Sequence, residues 1–271
     1  MAEKTVAGHT GPGDLWGERT PPAPGETHRL AVGPLAIWIR GVQNELWVAH
    51  SCADPWEPAP EELPDAAEWS RWAMRDEPHR LRVLPVFPDR PLVVKPEHPF
   101  TLLRRAHARV YMRVPPWVRL EVVAGHERSG AVLTEIPTER LSDTWWGDFQ
   151  DGELAYWLRT KARRELREEL FEPHLVMSTL QLENHSEDAL RVEKLSLRVE
   201  HLSIYEKDGW LWAEEVRVEY RGEDEGSDIH MDDHPPREAE GARELTPARA
   251  QARSFRARTF ARLRALSGLG L

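Results

Sequence analysis

The chain has 271 residues and a single cysteine, Cys52. One thiol cannot form an internal disulfide, so cross-linked secreted scaffolds are excluded and a reducing, cytoplasmic compartment is the expectation. A lone thiol outside any catalytic motif is read as a small apolar residue rather than a nucleophile. No apolar run approaches the roughly 20 residues that span a bilayer, and residues 1–9 lack the apolar stretch of a secretory signal. Gly-rich phosphate loops, dinucleotide-binding patterns, His-Glu-x-x-His, cysteine pairs and fixed-period repeats are all missing. No cofactor is therefore expected and no catalytic residue is assigned. A formal charge of −10 argues against non-specific nucleic-acid binding.

What is abundant is tryptophan, with 12, alongside 22 prolines and 17 glycines. Tryptophan covers large apolar areas but needs a partner for its indole N–H. Frequent Pro and Gly punctuate short strands. At 40% hydrophobic and 30% charged residues the chain is globular.

Residues 1–27, rich in Gly, Pro and Thr, read as a flexible lead-in. Period-two alternation begins at Leu35, Ile37 and Ile39 and resumes at Leu46 and Val48, with Gly41 to Asn44 as the turn of a hairpin. The proline-rich stretch 52–79 is read as an excursion in which Asp65 caps a short helix bearing Trp69 and Trp72. Further strands are expected at 81–87, 92–95, 100–104, 108–114, 118–123 and 131–136. Residues 153–170 fit a strand followed by a short helix, or one continuous helix. After Pro173 four more strands follow, and Asp208-Gly209 is the strongest hairpin signal in the chain.

Residues 28–222 thus form an all-β domain, an antiparallel β-sandwich built as one large or two closely packed sandwiches. Residues 223–245 are an acidic linker. Thr246-Pro247 then opens a basic amphipathic helix over 246–271, with Ala248, Ala252, Phe255, Thr259, Leu263 and Leu266 at three- and four-residue steps.

Several stretches occur in a suggestive order. They are Gly33-Pro34-Leu35-Ala36-Ile37-Trp38, Trp145-Trp146-Gly147-Asp148 with Asp151-Gly152-Glu153-Leu154, Asn184-His185-Ser186, and Leu202-Ser203-Ile204-Tyr205 leading to Asp208-Gly209-Trp210-Leu211-Trp212. Together they resemble an uncharacterised prokaryotic domain-of-unknown-function family, first catalogued in archaea and also found in bacteria. The resemblance covers roughly residues 14–222. It implies one continuous domain and carries over no activity or catalytic residue.

The densest polar-aromatic cluster is Asp143 to Tyr156, with four carboxylates and four aromatics. Trp145, Trp146, Asp148, Asp151, Glu153, Tyr156 and Trp157 are the candidate binding residues. Paired carboxylates beside ring platforms are what sugar binding or hydrolysis uses. The same residues also serve as turn formers and core covers. A second candidate is the tail, where Arg249, Arg253, Phe255, Arg256, Phe260 and Leu263 form a basic, apolar-backed surface for an acidic partner, a membrane surface or the chain's own body. A third is Asp228, His230, Asp232 and His234, which in an extended segment share one face and could gather a divalent metal. The leading expectation is a non-catalytic cytoplasmic adaptor that binds a protein partner. The alternative is a carbohydrate-binding or carbohydrate-hydrolysing sandwich using residues 143–157.

Overall fold

A computed structural model describes residues 5–6, 15–75, 79–125, 127, 129–147, 149–150, 152–222 and 226–257. Its regular structure is almost entirely β. Three short 3-10 turns, Glu168–Leu170, Val199–His201 and Arg237–Ala239, are the helical elements among these residues. The chain divides into two compact units. One comprises Met1–Val86, Pro115–Arg140 and Asp208–Trp210; the other comprises Phe87–Val114, Leu141–Lys207 and Leu211–Leu271.

The first unit holds a five-stranded sheet in the order Thr5–Val6, Thr27–Val32, Leu35–Val42, Glu45–Cys52 and Ser70–Ala73. The expected hairpin is there, turning at Gln43-Asn44 with Asn44 at φ 58°. Asparagine tolerates that left-handed conformation better than most residues. Leu35, Ile37 and Ile39 are fully buried. Each contributes roughly 1.5–3 kcal/mol through apolar burial. On the other face Arg40, Trp47 and Arg71 lie opposite one another across three neighbouring strands. The Arg71 guanidinium sits 4.1 Å from the Trp47 ring and that of Arg40 4.7 Å from Trp69, so cations and rings alternate. A four-stranded sheet orders Ala131–Pro137, Trp117–Ala124, His79–Val86 and Gly17–Arg19.

Two expectations fail in this unit. The lead-in is not a loose tail from Leu15 onward: Leu15 and Trp16 are buried, and Gly17–Arg19 pairs with the strand His79–Val86. Backbone bonds join Gly41 to Gly25 and Glu26, so closely that a Cβ at Gly41 would run into the carbonyls of Pro22 and Ala23. The helix capped by Asp65 is absent as well. Ser70–Ala73 adds to the sheet because Trp69 and Trp72 find better cover there: Trp69 lies 6.2 Å from Trp47 and Trp72 opposes Leu46.

The second unit's largest sheet runs His107–Val114, Val176–Asn184, Trp210–Gly222, Ile204–Lys207 and Arg243–Thr246. Gly226–Met231 and Ser254–Ala257 extend it from the long strand. A four-stranded sheet orders Ser142–Trp146, Glu153–Trp157, Leu92–Val94 and Leu195–Leu197, and Leu190–Val192 pairs with Phe100–Leu102. The sheets are mostly antiparallel. Parallel pairs occur between Val176–Asn184 and the long strand, between Glu153–Trp157 and Leu92–Val94, and at Thr5–Val6. Residues 153–157 are strand, which settles that ambiguity against a continuous helix.

Residues 226–246 are folded rather than linker. Acidic composition hid an alternation in which Ser227, Ile229 and Met231 are buried. The tail is also corrected. Residues 246–257 contain no helix; Arg243–Thr246 pairs with Ile204–Lys207, and Ser254–Ala257 pairs with Ser227–His230. The three- and four-residue spacing was a weaker determinant than the partners waiting on the sheet. The rest of the predicted helix, 258–271, lies outside the described residues.

Candidate functional site

The hairpin of Ser142–Trp146 and Glu153–Trp157 sorts its side chains by strict alternation. Trp145 opposes Leu154 and Trp146 opposes Glu153. On one face Trp146 is 4% exposed and packs with Val93, Ala155 and Trp157. On the other, Trp145 is 50% exposed and Leu154 46%; Phe149, in the connecting turn, is 95% exposed. Ser142–Trp146 is one of the two outer strands of its sheet among the described residues.

Charge is handled one pair at a time. Asp143 binds Arg90 at 3.2 Å, and the same guanidinium stands 5.2 Å from the Tyr156 ring. Tyr156 donates its hydroxyl to Asp89 at 3.0 Å. Partial burial, then that bond, push its phenol up from the ordinary value. Glu153 forms an ion pair with Arg198. Lys95 and Lys194 approach the Trp157 ring at 5.3 and 5.6 Å. A glycosidase needs two carboxyls facing one substrate, one of them kept protonated. Asp143 and Glu153 instead each have their own arginine. Asp148 and Asp151 lie outside the described residues.

The tail residues are occupied by their own unit. Arg249 donates to the Phe87 carbonyl at 2.6 Å, and Arg256 to Asp228 at 2.9 Å. Arg253 donates to Glu214 at 2.8 Å and to the His201 carbonyl at 3.3 Å. The Glu214 side chain is fully buried and also accepts from the Ser203 N–H at 2.8 Å. Phe255 stacks 4.7 Å from the His201 ring, with the Arg198 guanidinium 5.5 Å from its own. Arg198 also pairs with Glu200 at 3.5 Å, so one side chain touches both the hairpin and the tail. Burial pushes Glu200 up to about 7, and its Oε2 has no hydrogen-bond partner among the described residues. Phe260 and Leu263 fall outside the described residues.

The proposed metal face does not assemble. Asp228 lies between Arg221 at 3.0 Å and Arg256 at 2.9 Å, which hold its carboxyl below the usual range. His230 faces Ser254 at 3.0 Å. The strand ends at Met231, so Asp232 and His234 do not continue its alternation, and His234 Nδ1 turns to the Pro235 carbonyl at 2.9 Å. Among the described residues no group of three or more His, Cys, Asp or Glu is placed to hold a metal ion.

A family model described as protein of unknown function (DUF432) matches residues 15–264. The chain belongs to that family. The DUF432 match starts at the first buried residue of the described core and takes in both units, the hairpin and the docked tail. No curated protein and no solved structure matches the chain. Among the described residues no helix is long and apolar enough to cross a membrane.

Sequence reasoning found the polar-aromatic cluster and the strand that begins at 153, but missed the strand Ser142–Trp146 and the cations around the hairpin. Arg90, Lys95, Lys194 and Arg198 come from neighbouring strands and loops distant in sequence, and no local spacing announces them.

Proposed function

We propose that this DUF432 protein is a cytoplasmic, non-catalytic binding module that takes an extended segment of a protein partner onto the 142–157 hairpin. The observation that carries this reading is the exposure of Trp145 on the outer strand and of Leu154 opposite it on the next strand, with Phe149 exposed in the turn that joins them. Scattered apolar residues are ordinary on a surface; adjacent ones on a sheet edge mark interaction sites. An outer strand offers backbone donors and acceptors for strand addition, and exposed side chains on alternate positions supply selectivity. A sandwich arrangement of the sheets within each unit suits such a role, because it holds a hairpin rigidly while leaving its edge accessible.

The carbohydrate-directed alternative has less support, since Asp143 and Glu153 are engaged by separate arginines and Trp146 is buried. The tail carries less weight as a recruiting arm, because its described arginines bind Phe87, Glu214 and Asp228. Affinity capture from host lysate with wild type, Leu154→Asp and Arg256→Gln tests the choice. The same partner should be retained by wild type and Arg256→Gln and lost with Leu154→Asp. Loss with Arg256→Gln alone would move the site to the tail.

A further inference from the structure

The end of the second unit's large sheet carries a polar cleft of about 310 Å³, lined by Arg105, His107, Gln181, Glu183, Asn184 and His185. Strands His107–Val114 and Val176–Asn184 run antiparallel with His107 opposite Glu183. Just before them the chain folds back. The Arg105 N–H donates to the Asn184 carbonyl at 2.8 Å, and the Asn184 N–H to the Ala106 carbonyl at 3.0 Å. These bonds accompany a φ of 60° at Arg105, a conformation uncommon outside glycine. Asn184 is fully buried and makes all the bonds its amide can offer to this end. Its nitrogen donates to the carbonyls of Leu102 and Asp188 at 3.0 and 2.8 Å. Its oxygen accepts from the N–H and hydroxyl of Ser186 at 3.0 and 2.7 Å. The cleft is thus a built feature.

The charges around it are unevenly committed. Glu183 is the acid, and it accepts from His185 Nε2 at 3.0 Å and Gln181 at 2.9 Å. The histidine bond leads in holding its carboxyl below the usual range. Arg217 stands 3.9 Å away. Neither Arg105 nor His107 has a side-chain hydrogen bond or ion pair with another described residue, whereas the adjacent Arg104 is paired with Glu187 at 2.7 Å. In a chain of net charge −10, an arginine and a histidine with no side-chain partner among the described residues, facing a cleft whose one acid already accepts from His185 and Gln181, leave a local surplus of donors.

We propose that this cleft binds a small organic oxyanion, a phosphate monoester or a carboxylate, with Arg105 as the anchoring fork. A guanidinium meets either head group through two parallel charge-assisted bonds. His107 adds a second donor, and His185, its Nε2 held by Glu183, adds Nδ1–H when protonated. Glu183 opposes a second negative group, which selects ligands with one charged head. The volume suits a small metabolite, at the lower end of ligand sites.

The test follows the histidine Cε1–H signals of the full chain by NMR near pH 6.5, the ordinary histidine value. Inorganic phosphate and acetate are titrated separately at constant ionic strength. Saturable shifts at His107 and His185 with phosphate assign a phosphate head, and with acetate a carboxylate head. Arg105→Gln should weaken binding at least about tenfold. Arg104→Gln, which removes a surface ion pair, should leave it within about twofold. His107→Gln serves as a second variant and should also weaken binding. Absence of saturable shifts with both anions into the high-millimolar range overturns the proposal, as do equal affinities for wild type and Arg105→Gln.

Discussion

Replacing Glu200 by glutamine should stabilise the protein increasingly as pH rises from about 4.5 to 7, and fully above that. The Glu200 side chain is 15% exposed, and burial outweighs Arg198 in raising its carboxyl from 4.5 to about 7. A group whose folded value is raised contributes stability that is fully present below its unfolded value. That contribution fades as pH rises and is gone above the folded value. For Glu200 the window runs from about 4.5 to 7. Its width corresponds to roughly 3 kcal/mol lost by pH 8. Glutamine keeps the shape and cannot ionise, so it escapes that loss. It forgoes the ion pair with Arg198, which Glu153 still satisfies. Melting curves of wild type and Glu200→Gln at pH 5 and pH 8.5 read the effect. The variant should gain about 4–10 °C at the higher pH and little at the lower. Taking the difference between the two proteins removes other titrations, including that of His201, which burial pushes below its ordinary value. The same Tm difference at both pH values would refute the reasoning.

Other outcomes follow from the packing. Arg253→Met should cost about 2–4 kcal/mol, because Glu214 would keep a buried charge with its cation gone. Adding Glu214→Gln should recover part of that loss, and additive costs in denaturant titrations would contradict the coupling. Gly41→Ala should destabilise by about 1–3 kcal/mol and expose residues 21–24 to limited proteolysis, since the new methyl meets the backbone of Pro22 and Ala23. Unchanged cleavage and an unchanged denaturation midpoint would argue against that contact. Trp47→Leu removes the ring beside Arg71 and should cost about 1–2 kcal/mol. A loss no larger than that of Val132→Ala at an exposed strand position would show that the cation-ring row adds nothing.

The β character was legible because its signals are local. Leu35, Ile37 and Ile39 alternate, Asn44 sits in its turn at φ 58°, and Asp208-Gly209 turns at φ 53° and 81° as the dipeptide foretells. The tail was misread because Ala248, Ala252 and Phe255 also satisfy helical spacing. The tail's true determinants, Glu214, His201 and Asp228, are supplied by two strands and a 3-10 turn elsewhere in the chain. Strand Gly226–Met231 was hidden by its charge, although Ile229 and Met231 marked a buried face. The parallel pairing of Val176–Asn184 with the long strand is a choice of topology that alternation leaves open. At the candidate site, the sequence offered carboxylates and rings together. Which carboxylate faces which cation depended on Arg90 and Arg198, about 50 residues from their partners in the chain.

The most direct test of the binding role places a photo-crosslinking residue at Phe149, 95% exposed in the hairpin turn, and another at Val132, 49% exposed in the other unit. Irradiation in host cells should yield one discrete adduct from position 149 that disappears with Leu154→Asp, and none of the same mass from position 132. Identical adduct patterns from the two positions, or an adduct at 149 indifferent to Leu154→Asp, would contradict the hairpin as the docking edge.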